Sequence, residues 1–298
     1  MPISLPLLFA LGSVYVFWGS TFAAMHIATE TMPPFAMSSI RFAVAGAIVW
    51  TIAAARGEGR PTRSELVIGA ITGTSLLAIG NGLSAWAVGR MPTGLASLLI
   101  SLSPIWMLGF DYLIAGARTT RLAIAGIVIA VVGLGILVSP RVDETLPLMP
   151  TIAILVGSVT WAFGSIVGRR FGSRRLFIST AAQMVAGSAL LALIALGTGE
   201  WFAFHPAAIS AWSLGGLAWL IVFGSVVAYS SYLYVMKNAP VALASTFAYV
   251  NPLIAVILGA TLFHERVSPI AGFGGATILV GVACMMLPAG AFRRRAGS

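Results

Sequence analysis

The apolar residues of this 298-residue chain fall in long unbroken runs, not in alternating or heptad patterns. A helix needs about 20 apolar residues to cross the hydrocarbon of a bilayer. Runs of that kind occupy 5–27, 35–55, 65–88, 93–115, 121–139, 150–169, 176–197, 209–235, 241–263 and 268–287. They predict an all-α membrane protein of ten transmembrane helices joined by short loops, with no water-soluble domain. A membrane β-barrel would instead show short alternating strands.

Composition and charge narrow the class. Charged residues make up 8% of the chain and hydrophobic ones 59%, where soluble domains carry roughly 25% charged residues. A cytosolic enzyme, a disordered chain and a disulfide scaffold are excluded. The single cysteine, Cys284, allows no internal disulfide. The first run lacks a basic leader and a small-residue cleavage site, so it reads as a retained span. The net charge of +9 would suggest nucleic acid in a soluble protein, but here the basic residues sit in loops. With both termini in the cytoplasm, thirteen of the 17 Lys and Arg residues lie in inside loops. Arg90, Arg141 and Arg266 lie outside, and Arg41 lies within a span. That asymmetry is an orientation signal, and no nucleic-acid partner is expected.

The chain reads as two copies of one unit. Residues 91–140 match 239–288 at an offset of 148: Pro92 meets Pro240, Leu95-Ala96-Ser97 meets Leu243-Ala244-Ser245, and Pro104 meets Pro252. Arg118 meets Arg266, Gly126 meets Gly274, Gly133 meets Gly281, and Pro140 meets Pro288. Gly19-Ser20 meets Gly164-Ser165 at an offset of 145. Prolines and glycines at fixed spacing mark special backbone positions. The expected units are 1–140 and 150–288, followed by a basic cytoplasmic tail, 289–298. Five spans is an odd number, so the second unit enters the membrane from the opposite face. Such a 5+5 inverted-topology repeat around a central cavity suits alternating access.

These features resemble the drug/metabolite transporter superfamily, in its ten-span EamA branch. The resemblance rests on Phe17-Trp18-Gly19-Ser20-Thr21, Pro33-Pro34, Arg41-Phe42, Gly80-Asn81-Gly82, Trp161-Ala162-Phe163-Gly164-Ser165, Tyr249-Val250-Asn251-Pro252 and Glu265. It covers essentially the whole chain. It implies a bacterial inner-membrane protein that exports amino acids or related small metabolites. Efflux of drugs, nucleosides or sugars is the alternative within the superfamily. The acid before the last span, Glu265, has no equivalent beside Arg118 in the first unit.

Polar and aromatic groups inside spans are the candidate substrate contacts, because hydrocarbon penalises them unless they face a cavity or a partner. Asn81, Ser84 and Trp86 in span 3 fall opposite Tyr229, Tyr232 and Tyr234 in span 8. Trp18 and Trp161 sit at mid-depth in matching spans, where an indole suits a cavity wall better than a lipid belt. Pro104 and Pro252 fall near the middle of spans 4 and 9, where a missing N–H predicts hinges. Ser101, Tyr249 and Asn251 lie beside them. Arg41 either snorkels to the surface or contacts a substrate carboxylate or Glu30. No carboxylate lies deep in a span, so proton coupling has no evident carrier. Small-residue faces at Gly69–Gly73, Gly126 with Ala130, and Gly272–Gly275 predict close helix packing within a monomer or a homodimer.

No phosphate-binding GxxxxGK[ST] loop, HExxH, GxSxG or zinc-spaced Cys/His cluster occurs. The expectation is therefore no catalytic residue, no metal, no cofactor and no ATPase partner. The expected partners are a small-molecule substrate and the lipid bilayer. A channel would need a charged or carbonyl-rich filter ring, and an intramembrane enzyme a paired nucleophile and base. Neither is visible.

Overall fold

The computed structural model describes residues 4–88, 90–91, 96, 99–138, 147–262 and 269–286. Every regular element among them is helical. The principal helices are α1 (Leu5–Thr29), α2 (Pro34–Ala55), α3 (Arg63–Val88), α4 (Ser103–Ala115), α5 (Arg121–Val138), α6 (Leu148–Phe171), α7 (Leu176–Gly197), α8 (Ala211–Asn238), α9 (Phe247–Leu262) and α10 (Pro269–Met286). Six of them, α1, α2, α3, α6, α7 and α8, are long and apolar enough to cross a membrane. The other four are apolar but shorter.

Local chemistry sets several helix ends. Proline opens α1, α2 and α4, where its missing N–H has no intrahelical partner to lose. Thr62 and Glu65 form a capping box at the start of α3. Ser210 caps α8 by accepting from the Ser213 N–H at 3.0 Å. Gly116, at φ 64°, ends α4 in the left-handed region that glycine adopts without strain.

Spans 4 and 9 depart from the expected pattern. A turn at residues 101–102 precedes α4, so Pro104 is a helix start and not a mid-span hinge. The run from 241 is broken at Ser245 and Thr246, whose hydroxyls donate to the carbonyls of Ala242 and Leu243 at 3.0 and 2.7 Å. Pro252 lies six residues beyond that break, inside α9. The prolines therefore accompany the interruptions without being their sites. Pro92, Leu95, Ser97, Pro140, Arg141, Glu265, Arg266, Pro288 and the tail 289–298 lie outside the described residues.

The packing has a regular pattern. α2 packs on α7 and α5 on α10. α1 packs on α8 and α9, while α6 packs on α3 and α4. α3 also packs on α7, and α2 on α8. The small-residue faces serve these contacts. A Cβ on Gly126 would lie 2.6 Å from the Gly281 carbonyl oxygen, and one on Gly274 would lie 2.5 Å from the Leu137 nitrogen. Gly69 approaches Ala182 of α7 in the same way, at 2.9 Å. These faces are used between helices of one chain. The outward faces carry large apolar side chains such as Phe9 (70% exposed), Leu113 (76%) and Phe273 (66%). So much exposed apolar surface is stable against lipid and not against water.

Both α3 and α8 contain a π-helical stretch, Thr74–Asn81 and Leu220–Tyr229. Such stretches occur often at functional sites. These two end on residues that the offset of 148 had paired.

Candidate functional site

A cavity with about 880 Å³ of empty space, its mouth included, lies between α1, α2, α3, α6, α8 and α9. On α1, α2, α3 and α6 the lining runs from mid-helix toward the helix ends at Thr29, Pro34, Val88 and Leu148. Trp18, Thr21, Phe22 and Met25 of α1 face Asn81 and Ser84 of α3, Ser158 and Trp161 of α6, and Asn251 and Pro252 of α9. Arg41 and Phe42 of α2, Gly224 and Tyr229 of α8, and Phe247 of α9 complete the wall.

An aromatic cluster forms the deepest part. The Trp18 and Trp161 rings meet edge to face at 5.4 Å. Trp18 also packs on Tyr232 at 4.9 Å and on Phe247 at 5.1 Å. Its indole N–H donates to the Gly224 carbonyl at 3.0 Å, tying α1 to the π-helical stretch of α8. The Tyr229 hydroxyl donates to Gln183 Oε1 at 2.6 Å, and the Tyr232 and Ser165 hydroxyls share a bond of 2.6 Å.

On the far side of this cluster, polar contacts link the helix ends. Arg169 donates to the carbonyls of Met236 and Ala239, and Lys237 to that of Ser173. Arg175 pairs with Glu65. Glu58 accepts from the Ile178 N–H at 2.7 Å, at the start of α7. At the opposite end, Glu200 accepts from the Phe35 and Ala36 N–H groups at 2.8 and 2.9 Å, capping α2. Burial pushes the Glu200 carboxyl up, against the pull of those two N–H groups and of Arg90.

The residues singled out in the sequence divide into two groups. Trp18, Arg41, Asn81, Ser84, Trp161, Tyr229, Asn251 and Pro252 all line the cavity. The others lie off its wall. Tyr232 is fully buried behind Trp18 and Trp161. Trp86 stacks under the Arg90 guanidinium, 4.5 Å from its ring centre. Tyr249 is buried against the α5–α10 pair. Ser101 is buried in the turn before α4, and Pro104 opens that helix. Arg41 is 3% exposed, so it does not snorkel. Sequence reasoning passed over Phe42, Ser158, Phe247 and the supporting pair Gln183 and Ser225. The last two are polar residues within spans, and the rule that found Asn81 applies to them equally.

Among the described residues no group of three His, Cys, Asp or Glu could hold a metal ion. An apolar-surfaced helical bundle around an aromatic and polar cavity fits a membrane transporter. Sequence comparison gives the family. The EamA-like transporter family matches residues 5–139 and again 148–287, and the chain belongs to that family. It is 35% identical over 267 residues to the inner membrane transporter YedA of Escherichia coli (strain K12), covering 89% of this chain and 86% of that one. It is 25% identical over 277 residues to a Streptantibioticus cattleyicolor protein named "Probable terminal-alkyne amino-acid exporter", covering 92% and 91%. A solved crystal structure with 21% identity superposes with a TM-score of 0.77 over 94% of this chain and 96% of the other, a likeness of fold.

Proposed function

We propose that this protein sits in a bacterial inner membrane and exports amino acids or related small metabolites by alternating access. The observation that carries the reading is the cavity itself. Its wall draws on both halves of the sequence, with Trp18 and Trp161 from matching spans meeting edge to face and Asn81 and Tyr229 at equivalent positions.

In this reading the ten apolar helices all span the bilayer as a 5+5 inverted repeat, with units 1–140 and 150–288 and both termini cytoplasmic. The helix contacts support it. Exchanging α1 with α6, α2 with α7, α3 with α8, α4 with α9 and α5 with α10 turns each principal contact into another on the same set. Two matched halves related by an axis in the membrane plane have two equivalent arrangements, one open to each side. The loops holding Arg56, Arg60, Arg63, Arg169, Arg170, Arg174 and Arg175 then face the cytoplasm. The contacts of Arg169, Arg175 and Lys237 form the inner closure, and the cavity belongs to an outward-facing arrangement. An aromatic wall with few charges favours small zwitterions with apolar or aromatic side chains, as the name of the Streptantibioticus relative suggests for that protein.

Efflux from loaded proteoliposomes tests the proposal, with a panel of amino acids, nucleosides, sugars and cationic dyes. Amino acids should leave fastest, and Trp18→Ala, Trp161→Ala and Tyr229→Ala should slow them. Unchanged rates in all three variants overturn the cavity assignment. Labelling of single cysteines placed at residues 56–63 from outside intact cells overturns the orientation.

A further inference from the structure

Arg41 is a cation inside the bundle whose guanidinium is only partly partnered. Nε donates to Ser225 Oγ at 2.8 Å, and the guanidinium carbon lies 4.7 Å from the Phe42 ring centre. Nη1 is buried without a hydrogen-bond partner, and no carboxylate among the described residues pairs with the group. The group packs closely on α8, where a Cβ on Gly224 would lie 3.0 Å from Nη2. Arg41 lines the cavity. A guanidinium held in a bundle interior is costly unless it meets an anion, and its planar fork of donors matches a carboxylate. Three more orphaned groups line the same cavity: the donor Trp161 Nε1 and the acceptors Asn81 Oδ1 and Asn251 Oδ1 have no partners. Amide oxygens accept from an ammonium, which carries three donors and no acceptor.

We infer that Arg41 anchors the carboxylate of the transported molecule, with Asn81 and Asn251 receiving its amino group, so that the cavity selects α-amino acids by their zwitterionic head. The apolar and aromatic wall then tolerates the side chain. This rests on the export reading above and names the part of the substrate that is recognised.

Calorimetric titration of the purified protein in detergent tests it. The probes are L-phenylalanine, L-leucine and L-methionine, the amide of each, 3-phenylpropionate, a nucleoside and a cationic dye. The wild type should bind each acid at least about tenfold more tightly than its amide, the scale of a charge-assisted hydrogen bond. The amine-free 3-phenylpropionate should bind more weakly than phenylalanine. In Arg41→Gln the acid-to-amide ratio should fall to near one, while Arg41→Lys should keep part of it. Acids and amides bound alike by the wild type overturn the anchor, and that result needs no variant to fold. A preference that survives in Arg41→Gln overturns the anchor and leaves amino-acid export standing. A wild type that binds none of the acids but does bind a nucleoside or a dye overturns both.

Discussion

Gly73→Ala is the most informative single perturbation of the packing that holds the cavity floor. A Cβ on Gly73 would lie 2.9 Å from the carbonyl carbon of Gln183 and closer still to its oxygen. Carbon atoms pack at about 3.5–4.0 Å, so α3 and α7 must separate by about 0.6–1.1 Å. Both sides of the clash are backbone, and no side chain can rotate away. Overpacking of this kind costs about 1–3 kcal/mol, which corresponds to a fall of about 2–12 °C in melting temperature at the scaling of larger soluble domains. The displaced residue is Gln183, whose side chain accepts the Tyr229 hydroxyl at the cavity floor. Substrate affinity should therefore fall along with stability. The assay is thermal unfolding of the purified protein with parallel binding of the tightest ligand found for the wild type. Gly12→Ala is the control, because a Cβ there meets nothing within 4 Å. A Gly73→Ala protein that melts and binds like Gly12→Ala would refute the argument.

Three further outcomes follow from the same contacts. Gly274→Leu should unseat α5 from α10, since even a Cβ lies 2.5 Å from the Leu137 nitrogen, and it should melt below Gly272→Leu, where nothing lies within 4 Å. Trp18→Ala removes ring contacts to Trp161, Tyr232 and Phe247 and should cost about 3–5 kcal/mol. Trp18→Phe loses one hydrogen bond, about 0.6 kcal/mol in a bilayer, so equal unfolding of the two variants contradicts the cluster's role. Glu200 has a carboxyl pushed up by burial, so its contribution to stability is present at low pH and is lost as pH rises through that raised value. The melting temperature of the wild type minus that of Glu200→Gln should decline as pH rises, and an increase would show that the two N–H groups outweigh burial.

Much of the architecture is written in the chain. Apolar runs of about 20 residues have few stable homes outside a bilayer, and outside spans 4 and 9 the helices follow those runs within a few residues. The interruptions in spans 4 and 9 were signalled by proline but misplaced. Proline reports a special backbone position, whereas Ser245 and Thr246 break the second run through side-chain bonds to the preceding turn. Trp18, Trp161 and Asn81 stood out because the middle of a span is an unusual place for an indole or an amide. Phe42 and Phe247 carry no such mark, since an aromatic ring on a cavity wall looks in sequence like any packing residue. Tyr232 was read as wall because it has a polar tip, but Ser165 takes that tip and the ring stands behind the indoles. The π-helical stretches have no sequence signature, because an i→i+5 bond uses the same residues as an i→i+4 bond.

Those two stretches have a geometric consequence. Each residue of an α-helix advances the chain by about 100° around the axis, so one surplus residue taken up as a π turn swings everything after it by that angle. Ser84 and Tyr232 lie just past such turns. Deleting a single residue within 74–79, or within 221–227, would let the helix rewind as a plain α-helix and send these hydroxyls to a different quadrant. The helix would keep nearly the same length, composition and hydrophobicity, while the side chains presented to the cavity would change.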